Sequence, residues 1–213
     1  MTLRIWLVRH AQSTWNAQRR LQGKANPPLT DEGRRQAACV AERLSGIGAT
    51  ALYTSPLRRA AETAQIIGQT TTLRPVQDSR LQEIGVGVAS SYRWEELMQK
   101  WPHLERVAEH GDLVLPHIPG AESLSAFGER VAACFADIQS QHGSGDVVVV
   151  AHGGVFRAYL SQIMKVRQGY TPVLHFANTS VSQVSFRAPG WTEIRFINDI
   201  SHLRNGNDQD KNR

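Results

Sequence analysis

Residues 7–16 read LVRHAQSTWN, and the apolar strand to which they belong runs directly into Arg9 and His10 without a polar spacer. A charged or unpaired polar side chain at the end of a buried strand costs free energy unless it has partners. The polar residues that follow, including Ser13 and Asn16, are typical partners of an oxyanion. Arginine matches the geometry of phosphate, and neutral imidazole is a nucleophile. The stretch therefore predicts an anion site that contains a nucleophile, although the Arg-His pair alone fits a capping arginine and a structural histidine equally well.

The composition is that of one ordinary globular domain. The chain has 213 residues, of which 41% are hydrophobic and 20% are charged. Its net charge is +5, but no run of Lys and Arg is longer than a pair, and no aromatic residues alternate with the basic ones. We therefore expect a small anionic partner and no nucleic acid.

The apolar segments and the cysteines argue against export and membrane insertion. The N-terminal segment, MTLRIWLV, is too short for a signal peptide, and no apolar run approaches the length of a membrane span. Cys39 and Cys134 lie in apolar helical patterns, which argues against a disulfide framework. We expect a cytoplasmic protein without a membrane partner, and a homodimer is compatible with the sequence.

Predicted strands and helices alternate along the chain. Short apolar runs predict strands at residues 3–8, 51–54, 73–77, 147–151, 181–186 and 192–197, the last two as a hairpin. Apolar periodicity predicts helices from residue 31 to a glycine at 46 or 48, and at residues 56–68, 94–101, 102–110, 122–141 and 155–165. This alternation is typical of an α/β protein with three layers, α/β/α, around a mostly parallel central sheet.

The sequence also predicts the limits of the domain. We expect residues 1–203 to form a single catalytic domain and residues 204–213 to form a flexible polar tail. Residues 78–120 are too long and irregular for a simple connection, and they are interpreted as a lid or specificity insertion. Ser55 and Pro56 are expected to begin the second long helix as its cap and its first residue.

Polar side chains follow three of the predicted strands. Arg9 and His10 follow the first strand, residues 55–59 follow the second, and His152 and Gly153 follow the fourth. In sheets of this kind, ligands bind beyond the carboxyl ends of the strands. Gly153 also lets backbone N–H groups and a helix N-terminus approach an anion closely. The sequence therefore predicts one site at this edge of the sheet.

Three further candidates have an ordinary structural interpretation beside the functional one. Arg59 can reach back over a strand end, because helical side chains lean toward the N-terminus, but its spacing also fits a solvated helix residue. His152 fits a core histidine, and Glu83 fits a solvated carboxylate after a strand. From these residues alone both interpretations stay open.

The motifs together resemble those of a known family. Residues 7–16 resemble L-x-R-H-G-x-T-x-x-N, the signature of the histidine phosphatase superfamily in its phosphoglycerate-mutase-like branch, with Ala11 and Ser13 in place of the usual glycine and threonine. Further blocks resemble this family's motifs, among them residues 21–23, LQG; residues 55–64, SPLRRAAETA; residues 81–87, LQEIGVG; residues 147–160, VVVVAHGGVFRAYL; and residues 178–181, NTSV. The resemblance covers residues 3–186, and the family commonly has a tryptophan and a glycine where this chain has VASS at 88–91.

The resemblance implies a phosphoryl transfer reaction. It implies that His10 accepts the phosphoryl group, that Glu83 is the general acid and base, and that water is the final acceptor. The remaining site residues implied by the family's motifs bind or border the phosphate: Arg9, Arg59, His152, Asn16, Gln22, Gly23 and Gly153. No Asp/Glu/His cluster with metal spacing accompanies the motifs, so we expect neither a metal nor another cofactor.

Within this family, hydrolysis and mutase activity are the main alternatives. The cofactor-dependent mutases are usually longer and carry an E-R-H-Y-G motif in the insertion after the general acid, which this chain lacks. The sequence therefore favours a phosphomonoesterase that acts on a small-molecule phosphate ester. A non-catalytic regulatory member would be expected to lack His10 or Glu83, and both are present. The identity of the substrate does not follow from the sequence.

Overall fold

A six-stranded mixed sheet lies at the centre of the computed structural model, which describes residues 1–109, 114–166, 174–187 and 190–203. The strands are β1 (Thr2–Arg9), β2 (Ala49–Thr54), β3 (Val76–Gln77), β4 (Gly145–Ala151), β5 (Val181–Arg187) and β6 (Trp191–Asp199). Their order is β3-β2-β4-β1-β5-β6. The first four strands of this order are parallel to one another, whereas β5 pairs antiparallel with both β1 and β6. The predicted α/β class with a mostly parallel sheet is confirmed.

Helices cover both faces of the sheet. The α-helices of the described residues are α1 (Thr14–Ala17), α2 (Asp31–Ser45), α3 (Arg58–Thr71), α4 (Trp94–Lys100), α5 (His103–Glu109), α6 (Leu124–Gln141) and α7 (Gly153–Ile163). Of these, α2 and α3 pack on one face of the sheet, and α6 and α7 pack on the other. Leu3, Ile5 and Leu7 of β1 belong to the core under α6 and α7, whereas Val8 belongs to the core under α2 and α3. Side chains of a strand alternate between its faces, so a strand that is apolar throughout supports a helix layer on each side. This packing produces the three layers.

The start of α3 differs from the prediction that Ser55 and Pro56 begin this helix. The N-cap is Leu57, which makes no side-chain cap bond, and the first helical residue is Arg58. The Ser55 hydroxyl accepts a hydrogen bond from the Leu57 N–H at 3.2 Å and contacts His152. The Ser55 side chain therefore bonds within the turn before the helix and contacts His152 after β4, so it does not cap the helix.

The third strand is shorter than the predicted residues 73–77. Only Val76 and Gln77 pair with β2, opposite Tyr53 and Thr54. Pro75 has no N–H group and cannot donate to a ladder, which explains why pairing begins after it. The strand is therefore a short edge of the sheet.

The insertion at residues 78–120 has a small core of its own. This insertion core consists of the buried residues Ala89, Leu97, Leu104 and Ile118 with several partly buried neighbours. Two backbone hydrogen bonds join the insertion to the loop that precedes Gly23: Leu21 donates to the Tyr92 carbonyl at 2.9 Å, and Ser91 donates to the Leu21 carbonyl at 2.9 Å. Residues 110–113 of the insertion and the expected tail at 204–213 lie outside the described residues. Within the described ranges, no helix is both long enough and apolar enough to span a membrane.

Candidate active site

The two histidine segments meet because β1 and β4 are neighbouring parallel strands. Arg9 is the register partner of Ala151, so the next residues, His10 and His152, leave the sheet side by side. The His10 N–H donates to the Ala151 carbonyl at 2.9 Å, and the two imidazole centroids are 5.1 Å apart. Ser55 follows β2 on the other side of β4 and donates its N–H to the Val150 carbonyl at 3.1 Å. The carboxyl ends of β1, β2 and β4 therefore lie together, as the sequence predicts.

His10 is buried as a neutral ring with its lone pair on Nε2. Its Nδ1 atom lies 2.7 Å from the Ala11 carbonyl oxygen, which can only accept, so Nδ1 carries the proton and Nε2 the lone pair. Burial lowers the pKa of His10 well below its usual value, and the charges of Arg59 and Arg9 lower it further. The side chain is therefore in the nucleophilic form at neutral pH.

Arg59 lies in the first turn of α3 and is only 1% exposed. Its Nε–H donates to His10 Nε2 at 3.2 Å, and its terminal nitrogens donate to the carbonyls of Ala25 at 2.7 Å and Gly23 at 2.9 Å. Burial lowers its pKa to about 10, partly opposed by the charge of Glu83, so the guanidinium remains charged at neutral pH. A cation is thereby fixed beside the His10 lone pair.

His152 and Arg9 bring unused donors to the same place. The Ser55 hydroxyl lies 2.8 Å from His152 Nε2 and has no other acceptor for its proton within the described residues, so it donates to Nε2 and the proton of the ring stays on Nδ1. Among the described residues, His152 Nδ1 and Arg9 Nε are buried without a hydrogen-bond partner. Another N–H of Arg9 donates to the Phe176 carbonyl. Buried polar groups are normally satisfied, so two donors from neighbouring strand ends are available to an anion.

Glu83 reaches this cluster across the N-terminus of α7. Its Oε1 accepts from the Ile84 N–H at 2.9 Å, and its Oε2 accepts from the Gly154 N–H at 3.1 Å. Burial lowers the pKa of Arg9, and the charge of Glu83 opposes this effect. A Cβ atom on Gly154 would lie 2.2 Å from Glu83 Oε1, so the close approach requires glycine here.

The residues expected to border the phosphate are close by. Asn16 Oδ1 accepts from the Ser13 N–H at 3.1 Å, and Gln22 Oε1 accepts from the Ser13 hydroxyl at 2.9 Å. Gly23 contributes its carbonyl to Arg59, and a Cβ atom on Gly153 would lie 3.9 Å from Arg9 Nε. All nine residues predicted for the site therefore lie on the polar segments that border this edge of the sheet.

Two residues of this region were not predicted for the site. Asn178 donates its amide N–H to the His10 carbonyl at 3.0 Å, and Arg130 donates to the carbonyls of residues 80, 82 and 83 beside the Glu83 side chain. Asn178 lies in the stretch NTSV, which matches a family motif, so that signal was present. Arg130 lies in an ordinary amphipathic helix, and only the packed fold brings it here. Among the described residues, no group of three or more His, Cys, Asp or Glu side chains could hold a metal ion.

Comparison with known proteins identifies the family of the chain. The family model of the histidine phosphatase superfamily (branch 1) matches residues 5–199. A probable phosphoglycerate mutase GpmB of Citrobacter koseri is 32% identical over 206 residues, which are 94% of this chain and 95% of the relative.

Solved structures of other proteins have the same fold. YhfR of Bacillus stearothermophilus superposes with a TM-score of 0.84 at 27% identity. The match covers 94% of this chain and 99% of the YhfR chain. The mycobacterial glucosyl-3-phosphoglycerate phosphatase Rv2419c, in a complex with VO3, superposes with a TM-score of 0.76 at 29% identity. The match covers 85% of this chain and 92% of the phosphatase chain. Because the family model spans nearly the whole chain, this protein belongs to the histidine phosphatase superfamily, branch 1.

Proposed function

We propose that this protein is a phosphomonoesterase that hydrolyses a small-molecule phosphate ester through a phosphohistidine at His10. The observation that carries the proposal is the setting of His10 Nε2. This atom has its lone pair beside the Arg59 guanidinium, and the free donors of Arg9 and His152 lie at the same strand ends. Such an arrangement suits the transfer of a phosphoryl group, in which positioning and charge neutralisation supply most of the catalysis.

In the first step, the Nε2 lone pair of His10 attacks phosphorus, and the bond between phosphorus and the ester oxygen breaks. The cations Arg9 and Arg59 and the Nδ1–H of His152 stabilise the charge on the phosphoryl oxygens. Glu83 supplies a proton to the leaving oxygen, so an alcohol departs and phospho-His10 remains. This role requires Glu83 to enter the step protonated.

In the second step, water displaces the phosphoryl group from His10. Glu83, now a carboxylate, takes one proton from the attacking water while the oxygen–phosphorus bond forms. The phosphorus–nitrogen bond breaks, and its electron pair returns to Nε2. Inorganic phosphate leaves, and the protonated Glu83 and neutral His10 are ready for another ester.

A mutase is the second candidate, and a specific observation favours it: the Citrobacter relative is named a probable phosphoglycerate mutase. The two activities share the first step and differ in the acceptor of the second. Coupled assays of 3- to 2-phosphoglycerate conversion, with 2,3-bisphosphoglycerate present, separate them from release of inorganic phosphate. We expect hydrolysis to be faster, because the mutase-type insertion motif is missing from residues 78–120.

The experiment that tests the phosphohistidine is rapid labelling with an alkaline quench, which preserves the phosphorus–nitrogen bond. Purified protein is mixed with a panel of ³²P-labelled phosphomonoesters, quenched, and analysed for acid-labile, base-stable phosphate on a histidine. We expect the label on His10 and its loss in His10→Ala. His103→Gln, which changes an exposed histidine in α5, is the matched control and should keep the label. Label that survives in His10→Ala, or no label with any hydrolysed ester, would overturn the proposal.

A further inference from the structure

Arg130, in the middle of α6, contacts the backbone on the N-terminal side of the Glu83 carboxylate. One of its terminal nitrogens donates to the carbonyls of Arg80 at 2.6 Å and Gln82 at 2.7 Å. The other donates to the Glu83 carbonyl at 3.2 Å. Three carbonyls within four consecutive residues are thus held by a single side chain.

Glu122 holds Arg130 in this orientation. Arg130 Nε donates to Glu122 Oε1 at 2.7 Å, and a terminal nitrogen donates to Oε2 at 2.9 Å. With these two bonds, all five guanidinium N–H groups are used, and a lysine could replace at most three of them. Both side chains are largely buried, with 18% and 15% of their area exposed.

Glu122 also fixes the backbone on the C-terminal side of Glu83. Its Oε2 accepts the Gly85 N–H at 2.9 Å, and Lys24 lies 3.2 Å from the same oxygen. Burial raises the pKa of Glu122, but the hydrogen bonds from Arg130 and Gly85 and the charge of Arg130 outweigh burial and lower it to about 2. The carboxylate is therefore charged at neutral pH.

The segment that carries Glu83 belongs to no strand or α-helix. It follows a short 3₁₀ helix, Ser79–Leu81, so no sheet ladder sets the direction in which the Glu83 side chain leaves the chain. Within the part of the chain that the structure describes, the carboxylate itself accepts hydrogen bonds only from the Ile84 and Gly154 N–H groups. Its position relative to His10 therefore depends on how the backbone of residues 80–85 is held.

We propose that Arg130 and Glu122 form a clamp that positions Glu83 for proton transfer to the leaving oxygen. This inference rests on the proposed function, because it assigns the clamp to the general-acid step. Neither member of the clamp needs to touch the substrate. Both act through the backbone of residues 80–85, so Arg130 and Glu122 are positioning residues.

The test measures the phosphorylation step alone, by burst kinetics on an alkyl and an aryl phosphate. An alkoxide needs a proton to leave, whereas an activated aryl oxide does not, so loss of the acid should slow the alkyl ester selectively. Glu83→Gln is the reference variant. Arg130→Lys keeps the charge but not the five donors, and Glu122→Gln keeps the shape but not the charge.

We expect Arg130→Lys and Glu122→Gln each to slow the alkyl burst by on the order of 10- to 100-fold and the aryl burst by less than about threefold. Adding either change to Glu83→Gln should cause little further loss, because the clamp acts through Glu83. Arg43→Lys is the matched control: Arg43 is about as buried as Arg130 and pairs with Asp199 in another part of the fold, so this change should leave the alkyl-to-aryl ratio unchanged.

The outcomes separate this inference from the proposed function. Equal losses of Glu83→Gln on both esters would mean that Glu83 is not the acid, and the proposed function would then need another donor. Glu83→Gln could instead slow the alkyl burst selectively while the clamp variants slow both bursts equally or neither burst. That result would overturn the clamp and leave the proposed function standing. If Arg130→Lys fails to fold, Glu122→Gln decides the question, because it retains an oxygen acceptor for Arg130.

Discussion

Gly154 sets the distance between the N-terminus of α7 and the Glu83 carboxylate. The carboxylate accepts the Gly154 N–H, and any side chain there would overlap it. Gly153, its neighbour, has no such constraint, because a Cβ atom there meets its nearest atom, Arg9 Nε, at 3.9 Å. Of the two adjacent glycines, Gly154 is therefore the one that a close contact requires to be glycine.

We expect Gly154→Ala to damage catalysis without damaging the fold. The alanine methyl would displace the flexible end of Glu83, which should slow hydrolysis of an alkyl phosphate by on the order of 10²-fold. The free energy of unfolding should stay the same or rise, because alanine favours a helix over glycine by about 1 kcal/mol. Steady-state kinetics and urea unfolding measure the two effects. Gly153→Ala serves as the comparison and should lose far less activity; equal losses would contradict this account.

For individual residues, the local sequence predicts those that stand at strand ends and misses those whose contacts depend on the packed fold. Arg9, His10 and His152 stand at the ends of apolar strands, and the parallel sheet alone brings such positions together. Arg130 could not be predicted, because its contacts with residues 80–83 depend on the rotation of α6 against a loop about 50 residues away in sequence. The prediction that Ser55 caps α3 is wrong. A serine before a proline is typical of a helix cap, but here the Ser55 hydroxyl is hydrogen-bonded to His152.

Among the elements, the insertion at residues 78–120 stands apart from the two cores that cover the sheet. Its buried residues contact one another and the loop around Leu21 rather than the strands. The sequence predicted helices near both observed positions, α4 and α5, since their apolar spacing is local. It could not predict their docking beside the loop that leads to Gly23, which depends on the Leu21 backbone pairing.

We expect the insertion to open independently of the rest of the domain. Leu97→Ala removes a fully buried side chain of the insertion core, and such changes cost about 2–5 kcal/mol where they act. Amide hydrogen exchange should lose protection in α4 and α5 while β1 and β4 stay protected. Leu44→Ala, an equally buried change in the core under α2, should instead lower protection throughout the sheet. Equal patterns in the two variants would contradict an independent insertion.

For the molecule as a whole, burial of neutral histidines links stability to pH. Burial is the largest cause of the lowered pKa of both His10 and His152, and the nearby arginines add to it. On unfolding, both rings regain a pKa near 6.5. Below that pH the unfolded chain binds more protons than the native chain, so the free energy of unfolding falls as pH falls.

We therefore expect stability to be lost as the pH is lowered from 7.5 to 5. Each histidine should contribute a slope of up to about 1.4 kcal/mol per pH unit below pH 6.5 and almost none above it. Urea unfolding at several pH values measures the slope, and His10→Asn with His152→Asn should reduce it; His202, whose pKa burial lowers to about 4, contributes part of the slope that remains. Glu122 cannot account for the effect, since its lowered pKa of about 2 acts only under more acidic conditions. An unchanged slope in the double variant would contradict the assignment.

We also expect turnover to be independent of divalent metal. In the proposed mechanism Arg9 and Arg59 match the charge on the phosphoryl group, and the described residues contain no cluster of metal-ligating side chains. Activity on the best ester should be the same with and without EDTA. Loss of activity in EDTA that Mg²⁺ or Zn²⁺ restores would refute this expectation.

The pairing of β1 with β4 has a consequence for how the molecule is made. Strands whose partners are 142 residues apart in sequence cannot pair until most of the chain has been synthesised. Contacts of such long separation close late and slowly during folding. His10 emerges from the ribosome among the first residues, yet it acquires His152 as a neighbour only when the last third of the chain has joined the sheet. Catalysis should therefore be the last property to return on refolding, so the rate at which activity recovers reports completion of the fold.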